Sequence, residues 1–321
     1  MKIAIIGAGL AGLTLAQKLA SQHQVTVFEK ARGPGGRMST RRADPYAFDH
    51  GAQYFTASDP QFQAFIDDQM QAGLIAPWPV EIALHGGARI SDKPKYVATP
   101  GMNAVCKALA RPLDVQPQAH VETLISVPGG WQLSFKDGAV AGPFDWVVST
   151  APAEQTQILL PEQFSGQASL RDVDMSGCFA LMLGFEGPVD LPFAALKSAT
   201  PPIGWMALNS AKPGRPAATA LLIQSDNAWA EAHLDNDPSS VMQTLLDAGS
   251  ELTGLDLASA SHQVVHRWRY ASTPKSAGRP FLIDPNLNLA ACGDWCLGGK
   301  VEAAYLSAMA LADQFQSLTK A

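Results

Sequence analysis

A glycine-rich turn near the N-terminus constrains this chain more than any other feature. The apolar, β-branched segment Lys2–Ile6 is followed at once by Gly7-Ala8-Gly9-Leu10-Ala11-Gly12. Leu13–Ala20 then has helical composition, and Gln24–Phe28 alternates as a second strand that ends at Glu29. Strand, glycine turn, helix, strand and acid within about 30 residues form a dinucleotide-binding βαβ unit. The opening of the chain therefore predicts a Rossmann-like α/β fold.

Each residue of this turn has a separate task toward a diphosphate. Gly7 makes the turn, Gly9 lets the backbone approach the ligand, and Gly12 lets the helix pack closely on the strand. The N-terminus of the helix that follows offers unpaired N–H groups and a positive dipole end to that diphosphate. The turn alone does not distinguish FAD from NAD, so the segments that follow it decide.

The segment after the second strand supplies part of that distinction. Glu29 can accept hydrogen bonds from both hydroxyls of a ribose, and its charge would repel the 2′-phosphate of NADP. Next comes the run Lys30-Ala31-Arg32-Gly33-Pro34-Gly35-Gly36-Arg37-Met38. Glycines beside an arginine can hold an extended loop against a phosphate, with the guanidinium as a bidentate donor. By themselves these residues fit an ordinary surface turn as well as a second contact to the diphosphate.

Composition excludes several function classes. The chain has 321 residues, which predicts two domains, and 47% of them are hydrophobic, which is too many for a disordered chain. Lys and Arg total 23 against 29 Asp and Glu, and this net charge of −6 argues against nucleic acid and anionic membranes as partners. We expect no targeting segment and no obligate protein partner.

Free thiols and a cytoplasmic location are expected because no C-x-x-C pair occurs among Cys106, Cys178, Cys292 and Cys296.

Two further tracts suggest cofactor chemistry. Asp49–Thr56 has the sequence D-H-G-A-Q-Y-F-T, and Leu289–Ala291 predicts a buried strand that leads into Cys292-Gly293-Asp294-Trp295-Cys296. A glycine-bounded helix start follows near Val301. The positive dipole end of such a helix would favour a negative charge beside it.

Four tracts together carry a resemblance to a known family. They are G-G-R-M, D-x-G-A-Q-Y-F-T, the H-R-W-R-Y-A of residues 266–271, and C-G-D-W-C followed by V-E. In order and spacing they resemble the renalase family, particularly its bacterial members, within the FAD-dependent amine oxidase superfamily. The resemblance covers essentially the whole chain. Ala303 and Ala308 stand where relatives tend to have glycine, which concerns helix packing rather than chemistry.

The resemblance implies non-covalent FAD in a Rossmann-like domain of the p-hydroxybenzoate hydroxylase and amine oxidase type. In such proteins the aspartate of the G-D turn binds the ribityl chain, and Val121 would lay its backbone on the adenine. The residues expected to bind FAD are Gly7, Gly9, Leu10, Ala11, Gly12, Glu29, Lys30, Gly36, Arg37, Met38, Gln53, Tyr54, Val121, Gly293, Asp294 and Val301.

The same resemblance implies a substrate site beside the flavin. Aromatic walls suit a flat ring stacked on the isoalloxazine, and we expect the flavin, rather than a side chain, to carry the chemistry. The candidates that line the site are His266, Trp268, Tyr270 and Trp295. Further candidates for substrate binding are Phe55, Thr56, Ala57, Ser58, Asp59, Trp78, Tyr96 and Trp205.

The domain organisation follows from the order of the predicted elements. We expect residues 1–56, 97–155 and 285–321 to form the FAD-binding domain, and residues 57–96 and 156–284 to form an inserted substrate domain of mixed β-sheet and helices. The proline-rich stretch 212–216 is the nearest thing to a linker. Predicted elements are a helix over Thr99–Ala110, strands over Ala119–Val127, Gly130–Lys136, Asp145–Thr150, Cys178–Phe185, Ile203–Leu208, Thr219–Gln224 and Gln263–Trp268, and a helix over Pro238–Leu252 capped by Asp237.

Two competing sites are weaker. His262 and His266 lie four residues apart, but the intervening sequence lacks the glutamate of H-E-x-x-H and favours a strand. We therefore expect no metal site and a structural role for His262, whereas His266 is either structural or faces the flavin. Cys296 raises the alternative of a covalent thioether, but the resemblance favours non-covalent FAD and a small buried thiol.

The resemblance implies an oxidase of metabolite repair. Its substrates would be the 2- or 6-dihydro isomers of NAD(P)H, oxidised to NAD(P)+ by hydride transfer to FAD N5, with O2 then reduced to H2O2. A dihydropyridine becomes an aromatic cation when it loses hydride, so a catalytic base is unnecessary. Two alternatives stay open: a flavin amine oxidase that acts on a small amine, and a non-catalytic scaffold that binds flavin or NAD.

Overall fold

The computed structural model describes residues 1–318. Among the helices of that range, none has both the length and the apolar composition that crossing a bilayer requires. The helices are α1 (Leu10–Leu19), α2 (Pro60–Gln71), α3 (Ala104–Ala110), α4 (Ala153–Leu159), α5 (Gln167–Arg171), α6 (Asn227–His233), α7 (Pro238–Thr253) and α8 (Val301–Leu318). The strands are β1 (Lys2–Ile6), β2 (Gln24–Glu29), β3 (Arg41–Ala43), β4 (Tyr46–Phe48), β5 (Ile75–Pro77), β6 (Ile82–His85), β7 (Tyr96–Ala98), β8 (Asp114–Pro117), β9 (Val121–Val127), β10 (Gly130–Phe135), β11 (Val140–Phe144), β12 (Trp146–Ser149), β13 (Asp174–Phe185), β14 (Ala195–Ser198), β15 (Ile203–Leu208), β16 (Thr219–Ser225), β17 (His262–Lys275), β18 (Leu282–Asp284) and β19 (Leu289–Ala291).

The first sheet is built around the N-terminal strand and has the order β18-β19-β12-β1-β2-β8. Strand β1 pairs in parallel with both β2 and β12, and helix α1 connects β1 to β2. Strand β19 pairs in parallel with β12, so the two ends of the chain contribute to the same sheet. The predicted βαβ unit is thereby confirmed.

Alternate residues of β1 face two different layers. Ile3 and Ile5 pack in the cluster that contains helices α1, α3 and α8. Ala4 and Ile6 face the opposite way, toward the three-stranded sheet of order β11-β10-β9. Because both faces of the strand are covered, the segment is apolar at successive positions and not only at alternate ones.

The second large sheet comes from the middle of the chain and has the order β17-β13-β16-β15-β14-β6. Its neighbours pair antiparallel, except that β14 and β6 are parallel. Phe179 and Leu181 of β13 face helices α6 and α7, whereas Ala180 and Met182 face the hairpin of β3 and β4. This second face of the sheet lies toward the N-terminal part of the chain, where Gln224 contacts Gly51.

The predicted fold class is confirmed as a Rossmann-like α/β unit with an inserted mixed sheet. The domain boundaries stay a prediction, and the segment 57–96 contacts both parts. Helix α2 packs on α8, with the rings of Phe62 and Tyr305 centred 5.5 Å apart, whereas β6 pairs with β14 in the second sheet.

Some predicted limits are wrong. Helix α1 starts at Leu10 and not at Leu13, because Gly9 has the extended backbone of an N-cap residue, with φ −77° and ψ −179°. The helix expected from Thr99 begins only at Ala104. Elements that the sequence did not predict include α2 and β11, and β11 was obscured by its Gly-Pro pair, which is rare within strands.

The predicted cap of helix α7 is confirmed and gives a test of the fold. The Asp237 carboxylate accepts hydrogen bonds from the backbone N–H groups of Ser239 and Ser240, at 2.9 and 3.2 Å. We expect Asp237→Ala to lower the free energy of unfolding by about 1 kcal/mol, because two N–H groups at the helix start lose their acceptor. Urea titration measures the change. Asp237→Ser should retain most of the stability, and equal losses in both variants would contradict the capping role.

Candidate functional site

The first glycine turn packs as the sequence predicts. A Cβ atom on Gly12 would lie 2.0 Å from the carbonyl oxygen of Gly7, so only glycine allows this contact between helix and strand. Gly7 itself has φ +109°, in the left-handed half of backbone space that favours glycine. The Thr150 hydroxyl donates to the carbonyl oxygens of Ile6 and Gly7, at 3.0 and 3.1 Å, and fixes the turn against β12.

The second glycine loop docks directly on the first. The N–H of Gly35 donates to the carbonyl of Ala8 at 2.9 Å, and a Cβ on Gly36 would lie 3.5 Å from the Cα of Gly9. A Cβ on Gly9 would meet no described atom within 4 Å, and no side chain in the described range caps helix α1. Free N–H groups of a first helical turn beside an open glycine backbone suit a diphosphate, so this donor set fits a dinucleotide.

Glu29 is fixed at the end of β2 by backbone donors. Its Oε2 accepts from the N–H of Ala8 at 2.8 Å and its Oε1 from the N–H of Ala31 at 2.7 Å. The side chain is buried, yet each carboxylate oxygen has a second lone pair that a ribose hydroxyl can use. The neighbouring Lys30 instead extends to Gln155, with a distance of 3.0 Å between Nζ and Oε1.

Arg37 and Asp294, predicted separately as cofactor residues, form a bidentate ion pair. The two nitrogen–oxygen distances are 2.9 and 2.5 Å, although the residues are 257 positions apart. The carbonyl of Asp294 accepts from the N–H groups of Gly298 and Gly299, so the turn before helix α8 is closed around it. The pair joins the N-terminal loops to the start of α8, and an anion bound to Arg37 would share the guanidinium with Asp294.

The segment 49–54 runs along the Arg37 turn. The N–H of Ala52 donates to the carbonyl of Arg37 at 2.8 Å, and a Cβ on Gly51 would lie 2.0 Å from that carbonyl oxygen. A larger residue than glycine would separate the two segments. The D-x-G-A-Q-Y tract is therefore in direct contact with the predicted diphosphate loop.

Behind this segment, four residues form a row across the second sheet. His266 pairs with Ala180, Ala180 pairs with Gln224, and Gln224 pairs with Trp205, so their side chains share one face. The Gln224 amide donates to the carbonyl of Gly51 at 2.8 Å, which brings the row against the segment 49–54. Ala180 itself is fully buried and packs with Tyr46 and Phe48 of the β3–β4 hairpin. Sequence reasoning missed Ala180 and Gln224, because nothing in their local sequence distinguishes them from other strand residues.

Three rings close one end of the row. His50, His266 and Trp268 are mutually in contact, with ring centres 4.5 to 5.1 Å apart, and the Trp268 indole donates to the His50 carbonyl at 2.8 Å. Burial, with a smaller effect from the neighbouring His266, lowers the pKa of His50 to about 4. Burial also lowers the pKa of His266, helped by the charge of Arg41. Both imidazoles are therefore neutral at pH 7.

Aromatic side chains also close the other end. The Tyr54 ring lies 5.6 Å from that of Trp205 and 6.3 Å from that of Trp78. Burial raises the pKa of Tyr54, so its hydroxyl stays protonated at neutral pH. The indole nitrogen of Trp205 is buried with no hydrogen-bond partner within residues 1–318. The row thus offers flat walls and an unused N–H donor.

Other predicted site residues have different surroundings. Trp295 is fully buried, and its indole donates to the carbonyl of Ala151 at 3.0 Å, so it packs in the core and does not line the row. Tyr270 packs against the core of the first sheet. Met38 and Val121 are buried core residues as well, at the Arg37 turn and at the start of β9.

The predicted substrate residues 55–59 divide between two structural contacts. Phe55 and Tyr96 exchange backbone hydrogen bonds of 2.9 Å. Thr56 and Ala57 are half-buried, and the N–H groups of Ser58 and Asp59 then donate to the Glu302 carboxylate of α8. Asp59 also caps helix α2. These contacts leave the assignment of the segment to substrate binding as a prediction.

His262 and the four cysteines have the structural roles that the sequence predicts. His262 stacks on Phe48, with ring centres 5.6 Å apart and an interplanar angle of 15°. All four cysteines are free and buried. Burial raises the pKa of Cys296 to about 12, so its thiol is protonated and a poor nucleophile.

A buried charge cluster behind the segment 49–54 was missed entirely. The Asp49 carboxylate accepts from Nε and Nη2 of Arg215, at 3.1 and 2.5 Å, and lies 3.4 Å from Nζ of Lys212. All three side chains are fully buried, so the expectation of a linker at residues 212–216 is wrong. Lys212 also donates to Oε1 of Gln53 at 3.1 Å, which turns that side chain inward. The only signal in the sequence is two cations that flank a Pro-Gly turn.

The neutral state of His50 makes the fold sensitive to acid. The unfolded chain binds a proton at this imidazole below about pH 6.5, whereas the folded chain does so only near pH 4. The free energy of unfolding should therefore fall by about 2 kcal/mol between pH 7 and pH 5 through this residue. Urea titrations of the wild type and of His50→Phe at both pH values measure that contribution. The exposed His120→Phe should keep the wild-type fall, and an unchanged fall in His50→Phe would contradict the prediction.

Comparison with family models matches almost the whole chain. Residues 5–68 match the NAD(P)-binding Rossmann-like domain, and residues 69–314 match the flavin containing amine oxidoreductase family. Among solved structures, a putative protoporphyrinogen oxidase from Exiguobacterium sp. 255-15 superposes with a TM-score of 0.78, at 12% identity over 98% of both chains. A reduced UDP-galactopyranose mutase superposes with a TM-score of 0.75, at 13% identity over 99% of this chain and 94% of the other. At such identities these likenesses establish the fold.

Curated relatives match over a shorter segment. The 4,4'-diapophytoene desaturase (4,4'-diaponeurosporene-forming) of Staphylococcus aureus strain Newman is 41% identical over 78 residues, which is 21% of this chain and 16% of the desaturase. The same enzyme of strain MRSA252 is 54% identical over 52 residues, 16% of this chain and 10% of the desaturase. The chain thus matches less than a fifth of the length of these relatives, and their reaction does not transfer with the similarity.

The family model over residues 69–314 and the flavoenzyme fold together settle the coarser identity: the chain belongs to the flavin containing amine oxidoreductase family and is an FAD-dependent oxidoreductase.

Proposed function

We propose that this protein is a renalase-like oxidase that converts 2- or 6-dihydro isomers of NAD(P)H to NAD(P)+, with release of H2O2 from O2. The observation that carries the proposal is the row of His266, Ala180, Gln224 and Trp205, which lies against the segment 49–54 beside the cofactor loops and has aromatic rings at both ends. The imidazoles of His50 and His266 are neutral, and the thiol of Cys178 is protonated because burial raises its pKa. The row therefore offers orientation rather than an activated nucleophile. The resemblance to renalases supplies the substrate class.

The residues proposed to hold FAD are those of the two docked glycine loops. Gly9, Leu10 and Ala11 would present backbone N–H groups to the diphosphate, Arg37 would add a guanidinium, and Glu29 would accept from the ribose. When bound, FAD would supply the electron-accepting chemistry, as the acceptor of a hydride from the substrate and the source of two electrons for O2.

The protein's part in catalysis is to orient a planar substrate and to exclude water. Tyr54, Trp205 and Trp268 would offer aromatic faces to a planar substrate, and such positioning converts an encounter into a near-attack geometry. The indole N–H of Trp205, which has no partner within residues 1–318, would donate to a polar substituent of that ring. No proton needs to leave the substrate, in keeping with the neutral imidazoles.

A small amine is the second candidate substrate, and the family match favours it in general terms. An amine oxidase would bind its substrate among aromatic faces that attract a cation. One of the faces here already has a cation, because Nζ of Lys212 lies 5.4 Å from the centre of the Trp78 ring. That contact lowers the attraction for a second positive charge and favours the dihydropyridine. A non-catalytic scaffold that only binds flavin or NAD would not need the row of His266, Ala180, Gln224 and Trp205 beside its cofactor loops.

Anaerobic mixing with a panel of reductants tests the proposal. We expect 2-dihydroNAD and 6-dihydroNAD to bleach the yellow flavin band within seconds, and ordinary NADH and simple amines to bleach it far more slowly. Admission of O2 should restore the band and release one H2O2 per substrate. Bleaching by amines alone would favour the amine oxidase. Absence of bleaching with every compound would favour the scaffold.

Arg37 tests the location of the cofactor. We expect Arg37→Ala to weaken FAD binding on the order of ten- to a hundredfold, because a charge-assisted contact to the diphosphate is lost. Flavin retained after dialysis, measured by absorbance against protein, reports the change. Arg171→Ala is the matched control, since Arg171 also pairs with a carboxylate, Glu162, but at the exposed surface. Full flavin occupancy in Arg37→Ala would show that Arg37 does not contact the diphosphate.

A further inference from the structure

The Asp49 cluster contains more positive than negative charge. Lys212 and Arg215 contribute two cations, Asp49 contributes one anion, and none of the three side chains is exposed. The other groups bonded to the cluster are uncharged: the Thr40 hydroxyl, the Gln53 amide, and backbone groups of residues 98, 102 and 213. A net charge of about +1 is thus held away from water, which is unfavourable unless a negative charge forms nearby.

Lys212 is the less satisfied of the two cations. Arg215 makes two contacts with the Asp49 carboxylate and two with backbone carbonyls, whereas Nζ of Lys212 lies 3.4 Å from the carboxylate and 3.1 Å from the Gln53 amide oxygen. Asp49 cannot compensate further, because its other oxygen accepts from Thr40 and from the backbone at residue 102. The excess charge therefore belongs chiefly to Lys212.

The position of this charge connects it with the cofactor. Asp49 and Gln53 belong to the segment 49–54, and Ala52 in the same segment is hydrogen-bonded to Arg37, whose turn fits the FAD diphosphate. A single short segment therefore separates the cluster from the cofactor loops. Between charges at such positions the low local dielectric strengthens the interaction and salt screens it weakly.

We propose that the Asp49–Lys212–Arg215 cluster stabilises the reduced form of the bound FAD, with Lys212 as the cation that supplies the excess charge. A hydride delivers two electrons and one proton, so FAD gains one negative charge when it takes one up. That charge balances the buried excess of the cluster. The charge of the diphosphate is the same in both oxidation states, so the charge added on reduction is what differs between reduced and oxidised FAD. The cluster thereby raises the reduction potential of FAD, whichever substrate provides the hydride.

The midpoint potential of the bound FAD is the direct test. Chemical reduction of the holoprotein in the presence of a dye of known potential measures it without any substrate, so its outcome is separate from that of the substrate panel. We expect Lys212→Met to lower the ratio of affinities for reduced and oxidised FAD at least tenfold, equivalent to about 30 mV for a two-electron couple. Lys212→Arg, which keeps the charge, should retain most of the wild-type potential.

Two controls separate charge from packing. Lys18→Met makes the same change of net charge on the exposed side of α1 and should leave the potential unchanged, because solvent screens that site. Circular dichroism and flavin content report whether Lys212→Met is folded and loaded. A folded, loaded Lys212→Met protein with the wild-type potential would overturn the proposal and leave the cluster a purely structural clamp.

The wild-type protein gives a second measurement if Lys212→Met does not fold. Burial lowers the pKa of Lys212 to about 8, opposed by Asp49 and reinforced by Arg215, and Glu81 lines the same cavity of about 640 Å3 as Lys212. Because reduced FAD would hold the proton on Lys212, the potential should fall more steeply with pH above about pH 8 than below it, by up to a further tenfold per pH unit. A single slope from about pH 6 to about pH 9 would contradict the proposal.

Discussion

The burial of Asp49 with two cations is the interaction on which the arrangement of the site depends. One carboxylate gathers donors from three separate parts of the chain, the hydroxyl of Thr40, the backbone at Met102, and the side chains of Lys212 and Arg215. Burial alone would raise the pKa of Asp49, but Lys212 and Arg215 outweigh it and hold the pKa below its usual value. The carboxylate is therefore charged at neutral pH, and it fixes where the segment 49–54 lies between the cofactor loops and the second sheet.

Local sequence signals predicted much of the structure of the FAD-binding domain. The β-branched run of β1 and the spacing of Gly7, Gly9 and Gly12 act within a few residues, and the acid at position 29 acts within the same βαβ unit, so their consequences are visible in sequence. The cap of α7 was predictable for the same reason, since Asp237 bonds to the next turn. Element limits failed where a tertiary contact decided them, as at residues 99–103, where a backbone N–H is used by Asp49 rather than by a helix.

The row of side chains on the inserted sheet was less predictable, because it depends on the register in which the strands pair. His266, Ala180, Gln224 and Trp205 become neighbours only through the pairing of four strands, and a shift of one residue would turn each side chain to the other face. Aromatic residues were recognisable as candidates by type, but Trp295 is in the core and Trp205 is in the row, and no local pattern separates the two. The ion pair of Arg37 and Asp294 shows the same limit, because each residue was identified by its own motif but their contact was not.

The Ala180 position has a consequence for how closely the second sheet approaches the N-terminal loops. Ala180 is fully buried and packs with Tyr46 and Phe48 of the β3–β4 hairpin. Its neighbours in the row, His266 and Gln224, lie one strand to either side and contact residues 50 and 51. A side chain larger than alanine would push the hairpin away from the sheet, so one methyl group sets the distance between the sheet and the segment 49–54.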